Sequence, residues 1–167
     1  ILIIGNGGSG KTYLADKLGL SLESSVIHLD DLRWVPGHYG IRRDNELVLR
    51  DVVSAGQADR WIIEGVYHWL ASVIIDRTTL LIWLDLPVDK CVDNVRSRGL
   101  QGGGSAESFQ ELLTWVADYR HREHSKTSYS GHLEIFDWYS GPKMRLRTRD
   151  DIDTWFEQIA EKVTLQR

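Results

Sequence analysis

The chain has little cysteine, little proline and no long apolar stretch. Its 167 residues include one cysteine, Cys91, so no disulfide can form within the chain. Cys91 lies in an apolar helical pattern and is expected to be a small buried side chain, which fits a reducing cytoplasm. No apolar run approaches the roughly 18 residues that span a bilayer. We therefore expect no membrane segment and a cytoplasmic location.

A strong excess of charge of either sign is also missing. The 20 Lys and Arg residues and 24 Asp and Glu residues give a net charge of −4, which provides no overall attraction to nucleic acid or to an anionic membrane. The charge is uneven, since residues 119–149 hold 7 Lys and Arg against 3 Asp and Glu. The 42% hydrophobic and 26% charged fractions are those of an ordinary globular protein, and the length fits a single domain over residues 1–167.

The most specific pattern is GNGGSGKT, residues 5–12, directly after the apolar run ILII. It has the G-x-x-x-x-G-K-[ST] spacing of a phosphate-binding P-loop. In such a loop, backbone N–H groups point at a polyphosphate, the lysine contacts its β and γ phosphates, and the hydroxyl binds Mg²⁺. We therefore expect ATP and Mg²⁺ at this loop. The predicted nucleotide-binding residues are Gly5, Gly7, Gly8, Ser9, Gly10, Lys11 and Thr12.

Apolar runs of strand length alternate with helical patterns along the chain. The predicted strands are residues 1–4, 26–29, 61–64, 79–84 and 143–147. Continuous apolar runs are typical of parallel strands that are covered on both faces. The intervening segments repeat apolar residues at helical spacing, with Gly19 and Gly99 as expected helix ends. This alternation predicts an α/β fold with a parallel sheet and helices on both faces.

Acidic residues follow two of these strands. Asp30 comes after the second apolar run, with Arg33 close behind, and Glu64 ends the strand in WIIEG. Carboxylates at the C-terminal edge of parallel strands point into the crevice where ligands bind. Asp30 would orient or deprotonate an acceptor, Arg33 would hold its phosphate or carboxylate, and Glu64 would hold Mg²⁺ through water. The alternatives are a helix N-cap or turn role for Asp30 or Asp31 and a solvated strand end for Glu64. Asp85 is expected to cap the following helix.

Two segments, 32–60 and 99–130, are longer than ordinary crossover connections. The second includes GLQGGGS at 99–105, a flexible connection between two predicted helices. Arginines stand at the ends of these helices: Arg96, Arg98, Arg120 and Arg122. Such positions also suit the helix dipole, but two arginine-bearing ends around a flexible loop favour a lid that contacts phosphate.

The order of the motifs resembles a known family. GNGGSGKT, HLDDLRWVPG, WIIEGVY, LIWLDLPVDKCVDNVRSRG and a helix ending in ADYRHR extend over nearly the whole chain. This arrangement resembles the adenylate-kinase-related branch of P-loop nucleoside-monophosphate kinases, and most closely the bacterial DNA topology modulation proteins. The resemblance implies a three-layer P-loop sandwich with a five-stranded parallel sheet, a lid region at 99–130 and an acceptor-binding arm at 32–60. It also implies transfer of the γ-phosphoryl group of ATP to a small acceptor.

The resemblance further assigns roles to residues. Asp30 to Arg33 looks like the family's Asp-x-x-Arg, which grips the acceptor, and Arg98 looks like the arginine that meets ATP from the lid hinge. Glu64 and Gly65 resemble the Asp-Gly pair after the third strand. The predicted catalytic residues are Lys11, Asp30, Arg98 and Arg120; the predicted acceptor-binding residues are Asp30, Arg33, Glu64 and Gly65; and the predicted metal ligands are Thr12 and Glu64.

The chain departs from the adenylate kinases on the acceptor side. Where they have an acceptor-binding arginine, this chain has Val66, Tyr67 and His68, and Asn94 stands at another lid-helix arginine position. These departures favour an acceptor other than AMP, with Asp30 directed at its reacting oxygen. The prediction is an ATP-dependent kinase of a nucleotide or hydroxyl-bearing metabolite, monomeric or homodimeric, with neither nucleic acid nor membrane as a partner. The alternative, supported by the basic segment 119–149, is a nucleotide-gated binding protein or ATPase linked to DNA topology.

Overall fold

The computed structural model describes residues 1–38, 40–100, 104–122 and 125–165. The strands in these ranges are β1 (Leu2–Gly5), β2 (Ser25–His28), β3 (Trp61–Gly65), β4 (Leu81–Leu84) and β5 (Lys143–Leu146). The helices are α1 (Lys11–Leu22), α2 (Leu29–Arg33), α3 (Asn45–Ala55), α4 (His68–Ser72), α5 (Val88–Arg98), α6 (Ala106–Ala117), α7 (Tyr129–Trp138) and α8 (Arg149–Leu165). Short 3-10 turns occur at Ile75–Arg77 and Asp118–Arg120. None of the helices in the described ranges is both long enough and apolar enough to cross a membrane.

The five strands form one sheet in the order β2-β3-β1-β4-β5, and every pairing is parallel. After β1 the chain crosses to β2 at one edge, whereas β4 and β5 lie on the other side of β1. The direction of strand addition therefore reverses around the C-terminal end of β1. Ligands of open α/β sheets bind at such a point, and the P-loop sequence begins there.

Alternate strand residues face two separate apolar clusters. Leu2 and Ile4 of β1 pack in a cluster with α3, α4 and α7, whereas Ile3 packs in a cluster with α1, α5, α6 and α8. The sheet is thus covered by helices on both faces. The three central strands, β3, β1 and β4, are buried at every position, whereas the edge strands β2 and β5 are largely half-buried. The predicted three-layer P-loop α/β fold with a five-stranded parallel sheet is confirmed. Cys91 is fully buried, as expected, and burial raises the pKa of its thiol to about 11.

The predicted end of the first helix at Gly19 is wrong. α1 continues to Leu22, and the helix ends at Glu23, which has a φ of 49°. A Cβ atom on Gly19 would lie 2.4 Å from Cγ2 of Val26. The glycine allows α1 and β2 to pack closely and does not terminate the helix.

Candidate active site

The loop after β1 leads into the N-terminus of α1. Gly10, which precedes the helix, has a φ of 92°, a left-handed conformation that glycine adopts readily. Gly8 has a φ of 75°, and a Cβ atom there would lie 2.3 Å from the carbonyl oxygen of Cys91 in α5. No side chain caps the start of α1. The first backbone N–H groups of the helix are therefore available to an anion.

Two polar side chains of the loop also fit a polyphosphate. Lys11 is 7% exposed, and its Nζ donates to the carbonyl oxygen of Asn6 at 2.7 Å, which holds the ammonium against the loop. Ser9 Oγ is buried and has no hydrogen-bond partner among the described residues. A buried hydroxyl without a partner is costly. Together with the glycines, these groups form a cradle that fits the phosphates of ATP.

The C-terminal half of α6 forms a wall of the loop. Asn6 Nδ2 donates to the carbonyl oxygen of Val116 at 2.9 Å. A Cβ atom on Gly7 would lie 2.9 Å from Cγ2 of Val116 and 3.2 Å from the ring of Trp115. Gly7 is therefore needed for the close contact with α6. On the other side of the loop, Asn94 of α5 donates to the carbonyl oxygen of Gly8 at 2.8 Å.

Thr12 and Glu64, the predicted metal ligands, are in contact. Thr12 Oγ1 donates to Glu64 Oε1 at 3.0 Å. Glu64 is 4% exposed, so the alternative of a solvated strand end is wrong. Burial alone would raise the pKa of Glu64, but the hydrogen bond with His28, the Lys11 ammonium and the Thr12 hydroxyl outweigh it and hold the pKa below its usual value. The carboxylate is therefore ionised at neutral pH.

His28 lies between two carboxylates at the end of β2. Its Nδ1 is 2.9 Å from Glu64 Oε1, and its Nε2 is 3.3 Å from Asp16 Oδ1 on α1. The parallel register places His28 opposite Glu64 in the neighbouring strand. The hydrogen bond with Glu64 raises the pKa of His28, against partial burial, and the charges of Glu64, Asp16 and Asp31 raise it further.

These residues also bear on whether the site fits Mg²⁺. The described residues contain no group of three or more His, Cys, Asp or Glu side chains arranged to hold a metal ion. Mg²⁺ in phosphate-binding sites needs no such group, because it is bound through one or two protein oxygens, substrate phosphates and several waters. A hydroxyl and an ionised carboxylate beside a phosphate cradle fit that kind of site.

The predicted acceptor residues lie at the C-terminal edge of β2 and β3. Asp30, in the first turn of α2, is exposed, and its Oδ1 accepts hydrogen bonds from Tyr67 Oη at 2.5 Å and from Trp34 Nε1 at 3.4 Å. The predicted capping alternative for Asp30 is wrong, since α2 has no side-chain cap. Burial and the Asp30 charge raise the pKa of Tyr67 far above its usual value, so Tyr67 stays a donor. A Cβ atom on Gly65 would lie 2.8 Å from Leu29, so this glycine lets α2 start close to β3.

Arg33 is the buried cation of this region. Its Nη1 donates to the carbonyl oxygen of Arg43 at 3.1 Å and to Asn45 Oδ1 at 2.7 Å, and its guanidinium lies 5.5 Å from the centre of the Trp69 ring. Arg43 is itself occupied, because Nη1 donates to the carbonyl oxygen of Leu32 and Nη2 pairs with an aspartate at 2.6 Å. The Nη1 group of Arg33 is thus already used in hydrogen bonds within the protein, and these bonds hold the side chain in place.

The predicted arginines of the lid lie in different surroundings. Arg98 is exposed at the end of α5. Arg120 lies in the 3-10 turn after α6, where Nη2 is 3.3 Å from Asp85 Oδ1 and the guanidinium stacks on Tyr129 at 4.2 Å. Of the predicted lid region, residues 101–103, 123 and 124 lie outside the described ranges.

Asp85 does not cap α5 as expected from the sequence. Pro87 is the residue before α5, and the helix has no side-chain cap. Instead, the Asp85 side chain is 3% exposed and its Oδ2 accepts two hydrogen bonds from Arg145, at 3.0 and 2.6 Å. Arg145 comes from the end of β5, sixty residues later in the chain. A buried carboxylate needs such partners, because an unpaired charge would be strongly destabilising.

Three contacts of the site were missed by the sequence prediction: His28 on Glu64, Tyr67 on Asp30, and Asn6 on α6. His28 is the last but one residue of the second predicted strand, 26–29, and Glu64 is the last residue of the third, 61–64, so their shared sheet edge was the available signal. Tyr67 was noticed only as a departure from the adenylate kinases. The partner of Asn6 lies 110 residues away, and nothing in the local sequence indicates it.

Comparison with known proteins supports the fold. No family model and no curated protein sequence matches the chain. Three similar solved structures are a shikimate kinase from Acinetobacter baumannii, a sugar kinase from Janibacter sp. HTCC2649 and a deoxyadenosine kinase from M. mycoides.

The similarity extends over almost the whole of each structure. The shikimate kinase gives a TM-score of 0.56 at 13% identity, covering 99% of this chain and 93% of that one. The sugar kinase gives 0.55 at 16%, covering 95% and 90%, and the deoxyadenosine kinase gives 0.52 at 13%, covering 100% of both. The resemblance to DNA topology modulation proteins gains no support from these comparisons. At such low identity the likeness concerns the fold, and the chain has the P-loop α/β fold of these kinases.

Proposed function

We propose that this protein is an ATP-dependent phosphotransferase that transfers the γ-phosphoryl group to a hydroxyl group of a small acceptor. The observation that carries the proposal is the contact of Thr12 with Glu64 at 3.0 Å beside the glycine cradle. It joins a P-loop hydroxyl to a strand-end carboxylate. A site of this kind has two uses at once, binding a polyphosphate and holding the cation that accompanies it.

On the donor side, the chain's own groups bind and orient ATP. The N–H groups at the start of α1 and the ammonium of Lys11 contact the phosphates, with Lys11 exchanging its bond to Asn6 for phosphate oxygens. Thr12 and Glu64 would hold Mg²⁺, Glu64 through water, and the ion held there would supply positive charge beside the transferred group. α6 shields one side of this loop from water, since Trp115 and Val116 lie against Gly7.

On the acceptor side, Asp30 faces the same sheet edge. Tyr67 and Trp34 occupy Oδ1 of Asp30, and Oδ2 has no hydrogen-bond partner among the described residues. Oδ2 would accept the proton of the acceptor hydroxyl as its oxygen attacks the γ-phosphorus and the bond to the leaving ADP breaks. Tyr67 fixes the direction in which the carboxylate points.

A hydroxyl acceptor suits this site better than a nucleoside monophosphate. The phosphate of a monophosphate acceptor is dianionic and needs arginines around it. Arg33 has part of its fork committed to Asn45, and Arg43 is bound to Leu32 and Asp51. The solved kinases of similar fold are named for shikimate, a sugar and deoxyadenosine, and each of these compounds carries hydroxyl groups.

We also propose that the lid region, residues 99–130, completes the site when ATP is bound. Arg98 is exposed and Arg120 has a half-exposed side chain, so each gains a phosphate partner on closure. Arg120 would then weaken its 3.3 Å contact with Asp85, which keeps the closer partner Arg145. Arginines placed in this way stabilise the charge of the transition state.

An acceptor screen tests the proposed function. ADP release would be measured with MgATP and a panel of sugars, sugar acids, nucleosides and nucleoside monophosphates, using Lys11→Ala as the inactive control. We expect at least one hydroxyl compound to increase ADP release by the wild-type protein and none to increase it with Lys11→Ala. Best activity with a nucleoside monophosphate would contradict the acceptor class, and a wild-type protein that no panel member stimulates would contradict the phosphotransferase.

A further inference from the structure

We propose that His28 is a positioning residue for the metal site, acting on it through Glu64. This inference rests on the proposed function, because it concerns how the chain orients the groups that would hold Mg²⁺. It assigns a role to a side chain that neither the P-loop nor the acceptor side requires.

The Thr12 hydroxyl has one hydrogen, and the direction of that hydrogen decides how the oxygen can bind an ion. A hydroxyl binds a metal ion through an oxygen lone pair, so its hydrogen must point elsewhere. Thr12 Oγ1 donates this hydrogen to Glu64 Oε1 at 3.0 Å. The orientation of the Glu64 carboxylate thus decides whether the lone pairs of Thr12 are free for the ion.

The Glu64 side chain does not by itself fix the direction of its carboxylate. The terminal torsion of a glutamate side chain is soft and has no sharp rotamer, so the carboxylate needs contacts to hold it in one orientation. Its Oε1 has two hydrogen-bond partners among the described residues, the Thr12 hydroxyl and His28 Nδ1 at 2.9 Å. Glu64 Oε2 has none in the same ranges and is available to the ion or to a water bound to it. Without His28, the Thr12 hydroxyl would be the one remaining hydrogen-bond partner of the carboxylate among the described residues, and it is the group whose orientation depends on Glu64.

The ring of His28 lies between the carboxylates of Glu64 and Asp16. Its Nε2 is 3.3 Å from Asp16 Oδ1 on α1, a distance at which the protonated ring forms an ion pair with that carboxylate. Nδ1 donates to Glu64, because an ionised carboxylate only accepts. Asp16, His28, Glu64 and Thr12 therefore form a continuous chain of contacts that ends at the P-loop hydroxyl. Partners of metal ligands in other proteins have this function, and their loss typically weakens metal binding about 10- to 100-fold.

Two variants at one position separate orientation from simple packing. His28→Ala removes the ring and both contacts. His28→Asn also removes the Asp16 contact, but its amide nitrogen occupies nearly the place of Nδ1 and can donate to Glu64. Thermal unfolding of both variants establishes that they are folded.

The readout is metal binding and requires no turnover. Mn²⁺ would be titrated into protein saturated with a non-hydrolysable ATP analogue, and free Mn²⁺ would be followed by electron paramagnetic resonance. Binding of the analogue in the presence of a chelator would be measured separately by calorimetry. We expect His28→Ala to weaken Mn²⁺ binding about 10- to 100-fold, His28→Asn to recover most of the loss, and metal-free analogue binding to stay within about twofold of wild type.

Other outcomes would overturn the inference in distinguishable ways. Equal Mn²⁺ affinity in wild type and His28→Ala, or no recovery in His28→Asn, would remove the positioning role and leave the proposed function intact. A parallel loss of metal-free analogue binding would show that His28 only supports the loop. If the wild-type protein binds neither the analogue nor Mn²⁺ with it, the proposed function fails and the inference fails with it.

Discussion

At the scale of single residues, Asp30 is the side chain on which the acceptor chemistry depends. Tyr67 and Trp34 both donate to one of its oxygens, so the carboxylate is oriented before any acceptor arrives. Asp31, the next residue, is also exposed but makes no hydrogen bond to either aromatic side chain. The pair therefore offers a comparison between an oriented carboxylate and its unoriented neighbour.

Asp30→Asn is expected to lower kcat about 100-fold or more, the usual contribution of a general base, with a smaller change in KM. The substitution keeps the shape of the side chain and removes its charge. The measurement is steady-state kinetics with the best acceptor from the screen, and Asp31→Asn serves as the matched control. If Asp30→Asn changes only KM and AMP is the best acceptor, Asp30 does not act as the general base. It would then contribute only to the shape of a nucleotide-binding pocket.

His132 gives a residue-scale prediction about pH and stability. It is 1% exposed on α7, where Nε2 donates to the carbonyl oxygen of Val66 at 2.9 Å and Nδ1 accepts from Tyr119 Oη at 2.6 Å. Burial lowers the pKa of His132 from 6.5 to about 3. The unfolded chain therefore takes up a proton on His132 at a higher pH than the folded protein does. The contribution of the neutral histidine to the free energy of unfolding is complete above pH 6.5 and is lost as the pH falls toward 3. The expected loss is about 1.4 kcal/mol per pH unit in that window.

Urea unfolding at pH 7, 6 and 5 measures this effect. His132→Gln cannot titrate in the range, so the difference between wild type and variant isolates the histidine from the carboxylates, which titrate in both proteins. We expect the free energy of unfolding of the wild type to fall more steeply below pH 6.5 than that of His132→Gln. Equal slopes would mean that His132 is protonated in the folded protein.

The residues whose place in the fold was predicted correctly are those that local patterns define. Lys11 and Thr12 follow from one eight-residue motif, and their placement at the start of α1 is found in the structure. Asp85 was misinterpreted because the neighbouring Leu-Pro suggested a helix start, whereas its partner Arg145 comes from the last strand. Contacts between strands that are distant in sequence depend on sheet order and register, which local patterns leave open.

At the scale of elements, α6 has two halves with different surroundings. Leu113 and Val116 in the C-terminal half are buried, and the carbonyl oxygen of Val116 accepts from Asn6 in the P-loop. Residues 104–112 are exposed or half-buried. The C-terminal half is therefore already docked on the loop, and a closing motion of the lid would involve the N-terminal half.

Hydrogen exchange measures this division. We expect peptides from 104–112 to gain protection when a non-hydrolysable ATP analogue and Mg²⁺ are added, because bound phosphate orders the elements that contact it. Peptides from 113–122 are expected to be slow with or without the nucleotide. If hydrogen exchange in 104–112 is the same with and without the nucleotide, this segment does not close over bound ATP and the proposed lid is wrong.

Elements were predicted better than their ends. All five strands overlap the apolar runs that predicted them, and Gly99 directly follows α5, as expected for a helix end. The exception, Gly19, depends on a tertiary contact with Val26. A glycine inside a helix looks the same in the sequence whether it ends the helix or admits a neighbouring strand.

At the scale of the whole molecule, charge distribution bears on the alternative of a DNA-linked function. The net charge is −4, and the basic segment 119–149 is partly neutralised within the fold. Arg145 pairs with Asp85 at 2.6 Å, and Arg149 pairs with Asp153 at 2.8 Å. Arginines that are already paired with carboxylates attract DNA phosphates less strongly than unpaired arginines do.

We expect weak duplex DNA binding or none at physiological ionic strength. Fluorescence anisotropy with a labelled duplex over a range of salt concentrations measures it, because binding through phosphates weakens steeply as salt rises. Submicromolar affinity that is lost on replacing Arg147 and Arg149 with alanine, while Arg145 and its pair with the buried Asp85 are kept, would favour the DNA-linked function over the kinase.

The central claim is that residues 5–12 hold the phosphates of MgATP, and calorimetry tests it most directly. MgATP would be titrated into wild type, Lys11→Ala and Lys17→Ala, the last being a matched lysine on the same helix that contacts Tyr13 and Phe156 instead of the loop. Loss of charge-assisted contacts worth about 1.5–3 kcal/mol should weaken binding by Lys11→Ala roughly 10- to 100-fold, while Lys17→Ala binds like wild type. Unchanged affinity in Lys11→Ala would contradict the account.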